Sequence, residues 1–122
     1  KGIATVMFTF TSEQVGASEA DVLVYKAGID AGCDFIMVSG ATKEMVQYLR
    51  ANMQYGGVVM SDSLSADQAV TAVQAGVDMM YCPENFKEAY QKVLDAVNVG
   101  TISKEDLNTA VARILTCKLS YE

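Results

Sequence analysis

The sequence predicts an α/β fold of four consecutive parallel βα units, with one extra helix at the C-terminal end. Short apolar runs of strand length alternate with helical patterns, and glycines separate most of these segments. The connections from each helix to the following strand are also short, and such an alternation requires parallel pairing through right-handed crossovers. The chain of 122 residues has the ordinary size of one domain, so we expect a single domain over 1–122.

The four predicted strands are apolar runs rich in β-branched or aromatic residues. They cover residues 3–10, 33–39, 58–60 and 77–82. The run Phe35–Val38 contains no polar residue, which is typical of a strand covered on both faces. The sequence GCD at 32–34 and GVD at 76–78 places the same Gly-x-Asp pattern before two of the strands. At both places the glycine is expected to end a helix in the left-handed conformation.

Five helices are predicted from capping residues and from apolar residues at helical spacing. The first begins at Ser18 and stops at Gly32, the second and third cover 43–53 and 66–75, and the last begins at Ser103. The apolar side chains expected to be buried on the last two helices are Phe86, Ala89, Tyr90, Val93, Leu94 and Val97, then Leu107, Val111, Ile114 and Leu115.

Composition and charge exclude several functional classes. Hydrophobic residues make up 51% of the chain and charged residues 20%, as in globular proteins, and no apolar run approaches the roughly 18 residues of a membrane span. A net charge of −6 opposes binding to nucleic acid and to anionic membranes. No signal pattern opens the chain, so a cytoplasmic or recombinant soluble protein is expected, and a signal peptide removed earlier would be compatible with this.

The chain also has no pattern for a metal or a cofactor. It contains no His, and Cys33, Cys82 and Cys117 are odd in number and widely spaced, so we expect free, mostly buried thiols and no metal site. Gly56 and Gly57 precede their strand, which is the wrong end for a loop that binds phosphate. No nucleotide or other cofactor is expected.

The segment GVVMSDSL at 57–64 is the most specific motif of the chain. It occurs in order with KAGIDAGCDFIMV at 26–38, AVQAGVDMM at 72–80, GTIS at 100–103 and ARIL at 112–115. From Tyr25 onward this series resembles the second half of the catalytic barrel of glycoside hydrolase family 3, the family of β-N-acetylglucosaminidases and β-glucosidases. The resemblance implies a (βα)4 half-barrel derived from a TIM barrel. An open, flavodoxin-like parallel sheet is the alternative architecture.

The resemblance also implies a role for Asp62, because the matching aspartate of the family attacks the anomeric carbon and forms a covalent glycosyl-enzyme. Asp62 follows a strand, and active sites of β/α barrels collect at the C-terminal ends of strands. Without the resemblance, Asp62 would be read as an ordinary loop or capping residue. Ser39, Ser61 and Ser63 are the candidate substrate-binding residues beside it.

Several family features are replaced in this chain. The family's preceding strand ends in a Lys-His pair, whereas Met7 and Phe8 continue the apolar run here, and Gly40 stands where the family usually has a His that reaches the sugar. The loops after Ser39 and after Leu64 are shorter than in the family. Since the scaffold segments stay nearly intact, the changes suggest engineering and the loss of most of the hydrolytic machinery.

Half a barrel needs a cover for its interior side chains, which we expect to include Met7, Ile36, Val59 and Met79, with Phe8 and Phe10 able to fill that interior. The leading hypothesis is an engineered or truncated scaffold without significant hydrolase activity that self-assembles as a homodimer and completes an eight-stranded barrel. One alternative is a residual retaining glycosidase of carbohydrate metabolism that hydrolyses O-glycosyl bonds. The other is a module that binds a sugar or another small molecule.

Overall fold

The computed structural model describes residues 5–122, and describes side chains from Phe10 onward. Residues 3–4 of the first predicted strand and the side chains of Met7 and Phe8 therefore lie outside the described part. The strands are β1 (Thr5–Phe10), β2 (Phe35–Val38), β3 (Val58–Ser63) and β4 (Met79–Tyr81). The helices are α1 (Glu19–Asp30), α2 (Lys43–Gln47), α3 (Ala69–Ala75), α4 (Phe86–Asn98) and α5 (Lys104–Leu119). A π-helical turn at Tyr48–Asn52 continues α2, and 3₁₀ turns lie at Ser12–Gln14 and Ala66–Gln68.

The four strands form one parallel sheet in the order β1-β2-β3-β4. This confirms the predicted α/β fold of successive βα units. The flavodoxin-like alternative is wrong, because a doubly wound sheet requires a point at which the strand order reverses. Right-handed crossovers that always step in the same direction place α1 to α3 on one face of the sheet, as in part of a barrel, and α4 packs beside α3.

The main apolar core lies between the sheet and these helices. Ile36, Val38 and Val59 are buried there together with Met45 and Leu49. Two earlier expectations are therefore wrong: Ile36 and Val59 face the helices instead of the barrel interior. The purely apolar strand gave no sign of which residues face which side, since either phase of the alternation would look the same.

Phe10 also packs on the helix side and does not fill the interior. Its ring meets Tyr25 of α1 edge-on, with the centroids 5.0 Å apart, and stacks on Tyr48 at 5.9 Å. Its side chain is fully buried. The predicted filling of the interior by Phe10 is therefore wrong, while the prediction for Phe8 concerns a side chain outside the described set.

The opposite face of the sheet is less well covered. Strand alternation and the register place Phe35, Met37, Val58, Met60 and Met79 on this face. Val58 is buried, and the other four are partly buried. We call this surface the open face. It corresponds to the interior side of a barrel, and the prediction that Met79 faces the interior agrees with it.

The two last helices bury fewer side chains than the apolar pattern predicted. On α4, Ala89 and Ala96 are buried, whereas Phe86, Tyr90 and Leu94 are exposed. On α5 only Ala110 is buried, and Val111 and Leu115 are exposed. The predicted buried faces are therefore wrong for these exposed positions, because apolar side chains on both helices also point away from this chain's own core.

The capping residue and the glycines predicted at the helix ends are confirmed. Ser103 caps α5 by accepting a hydrogen bond from the Asp106 N–H at 3.0 Å. Gly32 and Gly76 have φ angles of +82° and +97°, so both occupy the left-handed conformation predicted for them.

All three cysteines are free, and Cys33 and Cys82 are buried. In the stretch 5–122, none of the helices combines the length and hydrophobicity that crossing a membrane requires.

Candidate functional site

The candidate site lies where β2 and β3 end. Asp62 is the fifth residue of β3, and strand alternation places it on the open face with Met60. The Ser39 hydroxyl donates a hydrogen bond to Asp62 Oδ2 at 2.8 Å. The Gly40 N–H donates to Oδ1 at 3.4 Å, so each carboxylate oxygen has one donor from the end of β2.

The short connection after β2 makes the second of these bonds available. Gly40 has a φ of +76°, a conformation that favours glycine, and its N–H points toward Asp62. Thr42 then caps α2 by accepting from the Met45 N–H at 3.4 Å. The backbone thus turns directly from the site into a helix, and Gly40 contributes a donor but no side chain.

The other two candidate serines do not contact Asp62. Ser61 is fully buried on the helix side of β3, and its Oγ accepts a hydrogen bond from the Tyr81 N–H at 3.1 Å. This bond links β3 to β4 at a register shift, which is a structural role. Ser63 is exposed at the end of β3. The structure therefore brings Ser39 and Asp62 together and leaves Ser61 and Ser63 apart from them.

The chemistry open to this pair is limited. Asp62 can act as a nucleophile or accept hydrogen bonds from a ligand, and Ser39 and Gly40 hold its carboxylate in one orientation. A retaining glycosidase needs a second group for proton transfer, about 5 to 5.5 Å from its nucleophile. The chain has no His to serve in that role. Within residues 5–122, no cluster of three or more His, Cys, Asp or Glu side chains could hold a metal ion.

A second polar cluster, which the sequence analysis missed, lies at the opposite end of the strands. Asp78 has a fully buried side chain, and its Oδ2 accepts from Arg50 Nη2 at 2.6 Å and from the Val59 N–H at 2.9 Å. Its Oδ1 accepts from Arg113 Nη1 of α5 at 2.9 Å. Arg50 Nη1 also donates to the Gly57 carbonyl at 2.6 Å. We call Arg50, Asp78 and Arg113 the basal network.

The basal network joins the π-helical turn after α2, β3, the start of β4 and α5 across the N-terminal ends of the strands. Burial lowers the pKa of the Arg50 guanidinium, and the Asp78 carboxylate opposes that shift. The repeated Gly-x-Asp pattern was the available signal for this cluster. In β/α barrels this end of the strands serves stability, whereas catalysis is found at the other end. The network is therefore structural, and the Asp62 end is the candidate functional site.

The model of the glycosyl hydrolase family 3 N-terminal domain matches residues 8–117, which is most of the chain. The chain belongs to glycosyl hydrolase family 3. The family's N-terminal domain is of the TIM-barrel type, which agrees with the βα units and the strand order. No curated protein sequence matches the chain.

Solved structures of family 3 enzymes share the fold. A β-N-acetylglucosaminidase from Paenibacillus sp. str. FPU-7 gives a TM-score of 0.77 at 24% identity, covering 98% of this chain and 28% of that one. A β-N-acetylhexosaminidase from Beutenbergia cavernae DSM 12333 gives 0.74 at 23% identity, covering 97% and 43%. The β-glucoside phosphorylase BglX gives 0.74 at 20% identity, covering 96% and 27%. The chain thus spans less than half the length of each of these proteins, and the likeness shows the fold alone.

Proposed function

We propose that the chain is a family 3-type half-barrel scaffold that self-assembles into an eight-stranded barrel and lacks significant hydrolase activity. The observation that carries the proposal is the open face, with the partly buried side chains Phe35, Met60 and Met79. A barrel interior is a packed core, so these side chains need a cover. A second copy would supply four more strands and pair with both edges of the sheet.

The surroundings of Asp62 support the loss of hydrolysis. Glycoside cleavage by the retaining route needs an acid/base group to protonate the leaving oxygen and then to activate water. The groups held against Asp62 are a serine hydroxyl and a backbone N–H, neither of which titrates in a useful range. The turn through Gly40 and the immediate start of α2 also suit an engineered scaffold with abbreviated loops.

Native mass spectrometry before and after incubation with an activated 2-fluoro glycoside tests the proposal. The expected result is a dimer that carries no glycosyl adduct. A monomer at micromolar concentration would contradict self-assembly. An adduct that disappears in the variant Asp62→Asn would contradict the loss of activity, and Ser63→Ala is the control for an exposed neighbour that does not contact Asp62.

A residual retaining glycosidase is the second candidate, and it is favoured by the position of Asp62. Its carboxylate lies at the C-terminal end of a strand and is oriented by two donors, as a nucleophile would require. Hydrolysis of aryl β-glycosides that falls at least a hundredfold in Asp62→Asn would support this function. Turnover that persists in that variant would assign the activity to a contaminant.

Sugar binding without turnover is the third candidate, since Ser39 and Asp62 offer a polar pair beside an apolar face. Calorimetric titration with N-acetylglucosamine and with glucose tests it. Heat that saturates for wild type and is lost in Asp62→Ala would support binding at this site. Equal heats for both proteins would contradict it.

A further inference from the structure

One side of α4 is apolar and exposed. Phe86, Tyr90 and Leu94 are 68%, 61% and 40% exposed, and their spacing of four residues places them along one side of the helix. The rings of Phe86 and Tyr90 have their centroids 6.5 Å apart. We call these three residues the α4 flank. Large apolar side chains that form a continuous stripe on a helix indicate a surface used for contact.

The α4 flank points away from α3. Lys92 forms ion pairs with Asp67, in the turn that leads into α3, and with Glu88 at 2.8 Å, which places the Lys92 side of α4 next to α3. Ala89 and Ala96 are buried between these two sides and face the core. The flank therefore lies on the side of α4 where the next helix around a barrel would pack.

The first helix has a matching free side. Glu19, Val22 and Lys26 line a cavity shared with Tyr48, just after α2, so this side of α1 faces α2. Asp21, Val24 and Gly28 have the same helical spacing on the other side. Val24 is 50% exposed, and Gly28 presents no side chain. The free side of α1 is thus a shallow surface with an acidic residue near the N-terminal end.

We infer that the α4 flank of one copy packs against the free side of α1 in a second copy. This inference rests on the proposed self-assembly and names its contact. Neighbouring helices of a β/α barrel run parallel, so aligning Phe86 with Glu19 brings Tyr90 to the level of Leu23, one residue from Val24, and Leu94 to the level of Ala27, one residue from Gly28. A two-fold axis along the barrel repeats the same contact on both sides of the dimer.

Charge and strand pairing agree with this arrangement. Lys87 borders the α4 flank within one residue of the helical level of Asp21 on α1, so opposite charges come close at the edge of the contact. The same arrangement brings β4 of one copy beside β1 of the other, which are the two edge strands of the sheet order. Helix packing and strand pairing therefore specify the same partner surface.

A pair of matched leucine substitutions tests the contact. Leu94→Asp places a carboxylate in the C-terminal part of the α4 flank, once in each half of the dimer, and we expect the dimer dissociation constant to rise at least a hundredfold. Leu119→Asp makes the same change at an exposed leucine of α5 and should change it less than threefold. Equal effects of the two variants on dimerisation, with both proteins retaining the wild-type circular dichroism, would overturn the inference.

Disulfide trapping tests the same contact in a second way, because it detects the contact directly and does not require a variant that dimerises less tightly. In a Cys117→Ser background, Val24→Cys and Tyr90→Cys are made in separate chains. Mixing the two should give a covalent dimer on mild oxidation, whereas neither variant alone should give one. A cross-link in Val24→Cys alone would show that α1 meets α1, and would overturn the inference.

The two proposals fail in different ways. If wild type is monomeric at all accessible concentrations, self-assembly itself is wrong and this contact falls with it. If wild type is dimeric but the mixture gives no cross-link and Leu94→Asp still dimerises normally, the contact alone is wrong. A dimer, a cross-link confined to the mixture and a weakened Leu94→Asp dimer would together support both.

Discussion

Asp78 is a charged side chain with no exposure to solvent, and its carboxylate accepts hydrogen bonds from two arginines and a backbone N–H. Taking a carboxylate out of water costs several kcal/mol, and this cost is offset only when the partners and their geometry are good. Arg50 reaches Asp78 from the π-helical turn that continues α2, and Arg113 reaches it from α5, so the network also fixes these two segments against the strand ends. One charged residue thus organises one end of the sheet.

Asp78→Asn should therefore destabilise the fold strongly. The substitution removes the negative charge and leaves Arg50, whose side chain is 19% exposed, without its ionic partner. We expect a loss of about 2 to 4 kcal/mol in the free energy of unfolding, measured by urea denaturation. Asp95→Asn, at an exposed position on α4, is the control and should change stability by less than about 0.5 kcal/mol. Similar losses in the two variants would argue against the network.

Gly57 provides a second test at the residue scale, with its neighbour as control. A Cβ at Gly57 would clash with the side chain of Tyr55, which is buried, whereas a Cβ at Gly56 meets no atom within 4 Å. Gly57→Ala should cost roughly 1 to 3 kcal/mol of stability because the ring must move. Gly56→Ala should be near neutral. Thermal melts of the two variants that coincide would contradict the packing around Tyr55.

Residue-scale prediction from the sequence depended on a motif. Asp62 and Ser39 were both named as site residues, and the structure joins them by a hydrogen bond, while their role in a functional site stays a prediction. Arg50 and Arg113 could not be named, because they lie 28 and 35 residues from Asp78 and carry no local pattern. Contacts between distant positions depend on the packing of whole helices, which the sequence of a single chain does not display.

At the scale of elements, α5 depends on its cap. Ser103 Oγ accepts from the Asp106 N–H at 3.0 Å and donates to Asp106 Oδ2 at 2.7 Å. Ser103→Ala should cost about 1 kcal/mol, measured as the free energy of unfolding. Ser120→Ala, beyond the other end of α5, removes a donor to the Cys117 carbonyl and should cost less. A larger loss for Ser120→Ala would show that the cap is not what holds the helix start.

Helix existence and helix burial were predictable to different degrees. The start of α1 at Ser18 and the left-handed glycines were predicted from local chemistry, which acts within a few residues. The exposure of Phe86, Tyr90 and Leu94 was not predicted, because an apolar stripe looks the same whether it packs inside the chain or against another surface. Periodicity identifies the element, while its partner depends on the assembly.

At the scale of the whole molecule, the strand order constrains what the chain can be. Four strands that step in one direction place their crossover helices on one face, and the partly buried methionines of the open face lie on the side that corresponds to a barrel interior. The βα alternation was predictable because each unit carries its own apolar strand and glycine stop. Which side chains face the interior was not, since β2 is apolar throughout.

Buried groups that ionise in alkaline solution should make the stability of the molecule depend on pH. Burial raises the pKa of the Tyr55 hydroxyl and of the neighbouring Cys33 thiol. In an unfolded chain these groups titrate near about 10 and 8.5. Below those values both states keep their protons and stability is unaffected. At higher pH the unfolded chain releases protons that the folded chain retains, so stability falls as the pH rises.

Urea denaturation between pH 7 and pH 11 measures this effect, and the variant Tyr55→Phe isolates one group. Removing the hydroxyl also removes its hydrogen bond to the Cys33 or Val58 carbonyl, at 3.3 and 3.4 Å, so a constant loss of about 1 kcal/mol is expected at pH 7. Above pH 10 the variant should lose stability less steeply than wild type, by up to about 1.4 kcal/mol per pH unit. The two stability curves should therefore converge in alkaline solution. Curves that stay parallel to pH 11 would mean that Tyr55 ionises as readily in the folded chain as in the unfolded one, and that the packing of its hydroxyl between β2 and β3 is looser than these distances indicate.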